Sequence, residues 1–597
     1  MTQSAYGGVR AMEAFGQLSE EARSHAIQVL SRRLHKSDLR MVINDLEGSA
    51  GHRRRKSVEW IVAQTEKKSP RLRSRLSDEE LAPFLVDRCG LDLLQSRVLR
   101  ERLALRAADD ELDRLHDYAG AARSRGGRQA KAKKIAERRW EAGKSWPRHF
   151  ARILDLPPVF AGLPGSPREP DLLEVSPFVP LPTLWDFQVE LKDQVLEVLC
   201  GPPGANRGVL TLPTGAGKTR TAVESLVEWR LSQEARPVIF WIAQSEELCE
   251  QAVQAFREVW TDLGHRQSKV RQSLEVARFW GSATVPDDPD VVVASIQKLQ
   301  RVVSDQDPQR RQELAALAER LGAVVVDEAH RALAPSYREV LGFLGVDPSA
   351  SFSAVPLLGL TATPFRSDER ETGQLAVRFH ERLLAARSLG DDVVGALRRQ
   401  QVLSEPEHEV IDYGGPEFPM ADNQRFVEHF EQFNDFHPGF LQEVGQSEER
   451  NRALLDRLLE VPADWPTLFF GCTVEHAIAM AVLLRRAGRR AEAVTSGTRS
   501  ATRRSMIEEF RGQRLSVLCN YGVLTTGFDA PRVQALIVGR PTTSRVVYEQ
   551  MIGRGMRGPR FGGTAKCTVI DVSDNIRFRG QLAFTMYSDY WTNGRAS

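Results

Sequence analysis

Two rhythms alternate along residues 183–578. Short runs of consecutive apolar residues, many of them β-branched, stand between longer stretches with helical spacing. The first series of runs is Gly208-Val209-Leu210-Thr211-Leu212, PVIFWIA (237–243), DVVVAS (290–295), AVVVD (323–327) and LLGLTA (357–362). A second series begins near residue 466 with PTLFFGC and continues through RAEAVTS, LSVLCN, ALIVGR and CTVIDV. Unbroken apolar runs of this length describe strands covered on both faces, and their alternation with helices describes βαβ units. Two doubly wound, parallel-sheet α/β domains in tandem follow, over 183–375 and 456–578. The stretch 376–455 reads as a helical connecting region, and 579–597 as a tail.

Residues 1–153 obey a different pattern. From Arg97 onward, Leu99, Leu103, Leu112 and Leu115 fall on helical faces, and the region reads as mostly helical. Residues 154–182 are rich in proline and poor in periodicity, which predicts a linker or an extended strap. At 597 residues the chain exceeds what one core supports, so three or four domains are expected.

Charge changes this picture only locally. The net charge is +2, so any affinity for nucleic acid must come from clusters rather than from the whole chain. One such cluster is His52-Arg53-Arg54-Arg55-Lys56. Another is 121–152, with eleven Lys/Arg against two Glu, interleaved with Trp140, Trp146 and Phe150. That mixture suits phosphate contact with base or sugar stacking; a solvated helix surface is the competing reading. The six cysteines are scattered without a CxxC pair, which argues against zinc and disulfides and fits a reducing, cytoplasmic setting. No apolar run is long enough to span a bilayer, and MTQSAYGGVRAMEAFG lacks the apolar core of a signal peptide.

The chemistry concentrates at strand ends. The run 208–212 leads into Pro213-Thr214-Gly215-Ala216-Gly217-Lys218-Thr219 and then an amphipathic helix. Gly215 and Gly217 allow the loop to wrap a phosphate chain with its N–H groups and the helix N-terminus facing the anion. Lys218 is positioned to hold the β/γ-phosphates, and Thr219 to ligate Mg²⁺. The first glycine of the strict phosphate-loop pattern is replaced by Leu212, leaving the bend to Gly215. The run 323–327 ends on Asp327, and Glu328 follows. Asp327 is a candidate metal ligand, Glu328 a candidate for polarising the attacking water, and His330 a coupling group.

Asp327-Glu328-Ala329-His330 resembles the DEAH box of superfamily 2 helicases and translocases, and the further motifs of that superfamily occur in order. Leu184-Trp185-Asp186-Phe187-Gln188 resembles the adenine-reading segment, which implies Gln188 as base reader. Ala243-Gln244-Ser245-Glu246-Glu247-Leu248 and Ala294-Ser295-Ile296-Gln297-Lys298-Leu299 resemble strand-contact motifs, implying nucleic-acid contacts at Gln244, Ser295 and Gln297. Gly359-Leu360-Thr361-Ala362-Thr363-Pro364-Phe365-Arg366 resembles the segment coupling hydrolysis to domain movement, with Thr361 and Thr363. In the second domain, Thr525-Thr526-Gly527-Phe528-Asp529-Ala530-Pro531 resembles the loop touching both ligands: Gly527 and Asp529 the nucleotide, Thr525 and Thr526 the nucleic acid. Gln550-Met551-Ile552-Gly553-Arg554-Gly555-Met556-Arg557 resembles the arginine-finger motif, with Gln550 a coupling residue, Arg557 favoured as the finger and Arg554 beside it.

The resemblance covers about 183–578 and implies two RecA-like domains with ATP and Mg²⁺ between them. It is nearest the group containing RadD, XPB and the helicase subunits of type I and type III restriction enzymes. It implies a nucleic-acid-dependent ATPase acting as a DNA helicase or translocase on duplex or branched DNA, in repair, restriction or phage (antiviral) defence. Two alternatives stand: an RNA helicase, and an ATP-driven motor or switch subunit of a larger assembly that does not itself separate strands. Many RadD-type proteins carry a C-terminal cysteine cluster that this chain lacks, and no nuclease pattern stands in 1–150 or after 578. A protein partner acting through residues 1–153 is therefore also expected.

Overall fold

The computed structural model describes residues 18–47, 57–66, 76–118, 127–162, 172–175, 181–266, 273–304, 308–346, 353–362, 375–414, 423–433, 436–523, 532–542, 545–573, 577–578 and 581–582. Two parallel sheets form the frame. The strands of the first are β1 (Leu172–Val175), β2 (Arg207–Thr211), β3 (Val238–Ala243), β4 (Leu274–Phe279), β5 (Val291–Ser295), β6 (Leu321–Asp327), β7 (Leu357–Thr361) and β8 (Leu383–Leu384). They lie in the order β1-β4-β5-β3-β6-β7-β2-β8. Only the edge pair β1–β4 is antiparallel. The strands of the second are β9 (Glu405–Ile411), β10 (Thr467–Phe470), β11 (Ala491–Val494), β12 (Val517–Asn520), β13 (Ala535–Val538) and β14 (Lys566–Val572). Their order is β11-β12-β10-β13-β14-β9, parallel throughout.

The period of two along each strand divides the core of the first lobe. Ile239, Trp241, Val293 and Val325 face the helices Lys218–Ser232 and Glu246–Arg266. Phe240, Ile242, Val292 and Val324 face Ile296–Val303 and Pro335–Phe343. Both faces are covered, which is why these strands read as unbroken apolar runs.

The connecting region, expected to be helical, also contributes strands to both sheets. Leu383–Leu384 extends the first sheet beside β2, and Glu405–Ile411 is the edge strand of the second beside β14. Alternating Glu and His along EPEHEVI leaves β9 mostly solvent-facing, so it lacks the apolar run that marks the other strands. The proline-rich stretch likewise supplies β1, and its Leu154, Leu156 and Phe160 pack into the N-terminal core.

The N-terminal helices share one core with the second lobe. On β10, Leu468 and Phe470 face the cleft side, whereas Phe469 faces the side covered by helices Glu448–Glu460 and Val474–Arg486. The helix Val474–Arg486 is buried on nearly every face, through His476, Ala477, Met480, Val482, Leu483 and Leu484. A helix apolar all round needs cover on two sides. The sheet supplies one side, and the N-terminal helices Val58–Thr65 and Leu81–Cys89 supply the other. Arg486 closes the seam with an ion pair to Glu66, and its Nε lies 3.6 Å from the fully buried Asp87. Asp87 is held in turn by Arg23 at 2.6 and 2.9 Å.

The basic stretch takes a different form from the one expected. Trp146 is 4% exposed and Phe150 fully buried, while Trp140 packs edge-on to Phe150 with Arg100 over its ring. These three aromatics build the module's core and are not presented for stacking.

Truncating Met480 to alanine leaves a cavity shared by both bodies and should cost about 2–5 kcal/mol. Hydrogen exchange on the variant should show the N-terminal helices and the second sheet losing protection together; loss confined to the second lobe would contradict a shared core.

Candidate functional site

The phosphate loop follows β2 directly. Gly215 and Gly217 have φ of +88° and +87°, a region closed to most side chains. A Cβ on Gly217 would also come within 2.3 Å of Gln188 Nε2. The loop's N–H groups therefore turn toward the start of the helix Lys218–Ser232. Leu212, at the position where the strict pattern has glycine, is 2% exposed and packs in the core, so the bend falls to Gly215.

Gln188, the expected base reader, lies directly against the phosphate loop. Its side chain is fully buried. Its Oε1 accepts the Trp185 N–H at 3.1 Å, capping the helix Asp186–Leu199, and its Nε2 donates to the Ala216 carbonyl at 3.3 Å. It braces the phosphate loop from behind.

Asp327 ends β6, and Glu328 adopts a left-handed backbone with φ 56° and ψ 57°. That conformation is strained for glutamate and turns its side chain back into the cleft. The Glu328 N–H donates to Asp327 Oδ1 at 3.0 Å. Burial, and then the neighbouring Glu328, push the Asp327 carboxyl up to about 7, while Lys218 and Arg554 pull in the opposite sense. Burial lowers the proton affinity of Lys218, against the attraction of Glu328 and Asp327. His330 Nδ1 lies 3.3 Å from Glu328 Oε2 and 3.4 Å from Thr361 Oγ1. The coupling residues His330 and Thr361 are thus brought together with Glu328 across the ends of β6 and β7.

The second lobe closes against this loop. A Cβ on Gly553 would lie 2.7 Å from the Thr214 Cβ, and one on Gly215 would lie 3.8 Å from the Arg557 Cα. Arg554 acts electrostatically on both Lys218 and Asp327, so its charge reaches the carboxylates. Arg557 lies against the loop backbone, and its carbonyl accepts the Ser404 hydroxyl at 2.6 Å. Of the two arginines, Arg554 is the one whose charge bears on Lys218 and Asp327. Gln550 is buried on the helix Arg545–Ile552 just before them.

Three residues that sequence reasoning missed join the lobes at the outer end of the cleft. Trp185 stacks on Phe561 with centroids 6.5 Å apart, and Arg560 lies 4.8 Å over the Trp185 ring. The available signal was an aromatic residue just ahead of Gln188 and an Arg-Phe pair just beyond Arg557.

The expected nucleic-acid contacts divide. Gln244 and Gln297 meet where β3 and β5 end, with Gln297 Nε2 donating to the Gln244 carbonyl at 2.8 Å. Ser295 is corrected: it is 5% exposed, and its hydroxyl caps the helix Ile296–Val303 by accepting from Lys298 N. Thr363, Thr525, Thr526, Gly527 and Asp529 lie outside the described residues. Among the described residues no group of three or more His, Cys, Asp and Glu is placed to hold a metal, and no helix is long and apolar enough to cross a membrane.

Comparison with known proteins matches residues 182–366 to the family "Type III restriction enzyme, res subunit" and residues 450–559 to "Helicase conserved C-terminal domain". Among curated relatives, the putative ATP-dependent helicase IRC3 of Saccharomyces cerevisiae is 24% identical over 63% of this chain and 50% of its own. The type I restriction enzyme EcoKI endonuclease subunit of Escherichia coli is 25% identical over 59% of this chain and 31% of its own. The chain spans about half the length of the IRC3-type relatives it matches. Among solved structures, a fragment of a putative HsdR subunit of a type I restriction enzyme from Vibrio vulnificus aligns with a TM-score of 0.43 and 20% identity, covering 66% of this chain and 65% of that one. One matched domain falls in each lobe, in the order the motifs require, and the pair is the domain set of an ATP-dependent helicase of the superfamily 2 type that the motifs resemble.

Proposed function

We propose that this chain is a nucleic-acid-dependent ATPase that works as a DNA helicase or translocase on duplex or branched DNA. The observation that carries the reading is the meeting of Lys218, Asp327 and Glu328 with Arg554 from the opposite lobe. A site built from both lobes changes its charge balance when the cleft opens or closes, which is what a hydrolysis-driven motor requires. The DNA assignment is supported by matches named as restriction-enzyme subunits and ATP-dependent helicases. Restriction, repair and antiviral defence are the settings that fit those names.

Each group then has a task. Backbone N–H groups of Gly215–Gly217 and the helix start take the phosphate oxygens. Lys218 neutralises the β/γ charge. Asp327 and the Thr219 hydroxyl are hard oxygen donors, and a divalent cation fits there because its charge would offset the burial and the Glu328 repulsion that raise the Asp327 carboxyl to about 7. Magnesium held there supplies charge neutralisation at the transferring phosphoryl group. Glu328 orients the attacking water, and His330 transmits its position to Thr361 and the segment beyond. Arg554 offsets the charge that grows on the γ-phosphoryl oxygens. With Gln188 engaged behind the loop, the base meets Trp185, Phe561 and Arg560 instead.

The direct test is steady-state hydrolysis alone and with single-stranded, duplex and forked DNA and with RNA. Stimulation by DNA is expected; stimulation by RNA only would reverse the substrate assignment. Lys218→Ala should abolish turnover without unfolding, and Glu328→Gln should bind ATP but hydrolyse it at least about 10²-fold more slowly. Retained turnover in Lys218→Ala would sink the site.

The two arginines separate by kinetics. Arg554→Ala should lower kcat by about 10³-fold or more with nucleotide affinity largely kept. Arg557→Ala should do less; the reverse ranking would assign the finger to Arg557.

The pH dependence has a defined sign. The raised Asp327 loses its negative charge as pH falls through about 7, and protons then compete with the cation. Half-saturating Mg²⁺ for binding of a fluorescent ATP analogue should therefore rise as pH drops from 8 to 6. Glu328→Gln removes the neighbouring charge and should move that transition to lower pH; an unchanged midpoint would contradict the coupling.

A further inference from the structure

The basic N-terminal stretch carries a surface that the motor motifs do not use. The helix Asp109–Tyr118 ends on Tyr118, whose ring is 39% exposed. Its face stacks on His149 at 3.9 Å with 17° between planes, and Trp146 lies behind at 5.9 Å, again at 17°. Arg138 locks this arrangement: it donates to the Tyr118 carbonyl and sits over both the Tyr118 and Trp146 rings, at 5.6 and 4.8 Å. A pre-ordered aromatic at the surface loses little conformational entropy when a flat partner stacks on it.

Positive charge surrounds the stack. Arg114 lies one turn before Tyr118 on the same helix face, and it is exposed. Arg148 and Arg152 are exposed one turn apart on the helix Ser145–Ile153, and Arg152 reaches His149 Nδ1 at 3.3 Å. Burial, Arg152, Arg114 and Arg138 all lower the proton affinity of His149, so three guanidiniums bear on this ring pair. Between residues 127 and 153 nine Lys/Arg stand against Glu137 and Glu141, and those two are paired with Arg97 and Arg139. The exposed Asp117 beside Tyr118 is the local opposing charge, while Asp113 is paired with Lys131.

We infer that the Tyr118–His149 stack, rimmed by Arg114, Arg148 and Arg152, is a second nucleic-acid contact that takes an unpaired base on Tyr118 and flanking phosphates on the arginines. Stacking with phosphate neutralisation is the chemistry of sequence-tolerant single-strand binding. The contact belongs to the body that carries the second lobe, because the N-terminal helices and that lobe share a core. The inference rests on the proposed function for its substrate class but not on catalysis, so the two fail separately.

The test measures binding of a fluorescent single-stranded oligonucleotide to the full chain across a salt series, with no nucleotide present. Tyr118→Ala should weaken binding about tenfold, and Tyr118→Phe should restore it. Arg148→Ala with Arg152→Ala, both at exposed positions, should reduce the slope of log affinity against log salt by about 1.4. Hydrolysis without nucleic acid should stay at the wild-type rate in all of them, while the oligonucleotide concentration for half-maximal stimulation rises. Wild-type affinity and salt slope in both the Tyr118→Ala and double-arginine proteins would overturn this contact while leaving the motor intact. A wild-type chain that binds no DNA or RNA at all would overturn the proposed function instead.

Discussion

Two carboxylates held side by side in a buried cleft set the terms for the rest of the site. Asp327 and Glu328 are adjacent in the chain, and the left-handed backbone of Glu328 brings both toward one space. Burial disfavours the charged form and the neighbouring like charge adds to it, and the rise of Asp327 to about 7 expresses both. Compensation comes from Lys218 in the same lobe and Arg554 in the other. Closing the lobes therefore improves the charge balance of the empty cleft, and a phosphate chain with its cation redraws that balance. The glycines at 215 and 217 belong to the same constraint. So does Gly553 on the opposing side, since a Cβ there would lie 2.7 Å from the Thr214 Cβ and hold the segment carrying Arg554 away from the loop.

Most of the frame was legible because it rests on short-range rules. Ten strands from β2 to β14 coincide with apolar runs, since a parallel strand covered on both faces has no other way to be written. β4, with Glu275 and Arg278 inside LEVARF, and β9, with its alternating charges, escaped that rule because each interrupts the run. The site residues at strand ends were legible as types, since loop geometry and phosphate chemistry restrict them. What hydrogen bonding does with them was not. Gln188 and Ser295 sit where the motifs put them, yet each spends its polar atoms on the backbone of its own lobe. Which arginine faces the carboxylates depends on how a turn after residue 552 leaves its helix, and that is tertiary information.

The attachment of the N-terminal helices was written in the sequence without being recognised. AIAMAVLL inside Val474–Arg486 has no polar face, so one sheet cannot satisfy it. The residue pattern of one helix thus records a third layer contributed by residues more than three hundred positions earlier. The aromatics at 140, 146 and 150 show the converse error. Interleaved with Lys and Arg they resemble a binding surface, but their spacing of six and four serves a helical core, and among the described aromatics of the N-terminal helices the exposed one is Tyr118, outside the densest basic run.

These attachments locate where the molecule can bend. β8 pairs with β2 and belongs to the first lobe, whereas β9 pairs with β14 and belongs to the second. Just before β9, Ser404 is tied to Met556, Arg557 and Thr564, and Leu403 bridges Arg557. Earlier in the connection, Ala385 is held by Gln194, and Arg387 and Ser388 by Glu190. Toward its end the Gln401 and Val402 carbonyls accept from Arg560 and Gly558, so the span between the two sets of ties is 389–400, around the short helix Val393–Arg399. A second crossing joins Phe160, in the N-terminal core, to β1 on the edge of the first sheet. The connection beside Arg557 runs against the arginine segment itself. The ties at Leu403 and Ser404 therefore couple the end of this connection to the segment that carries Arg557 and, three residues before it, Arg554.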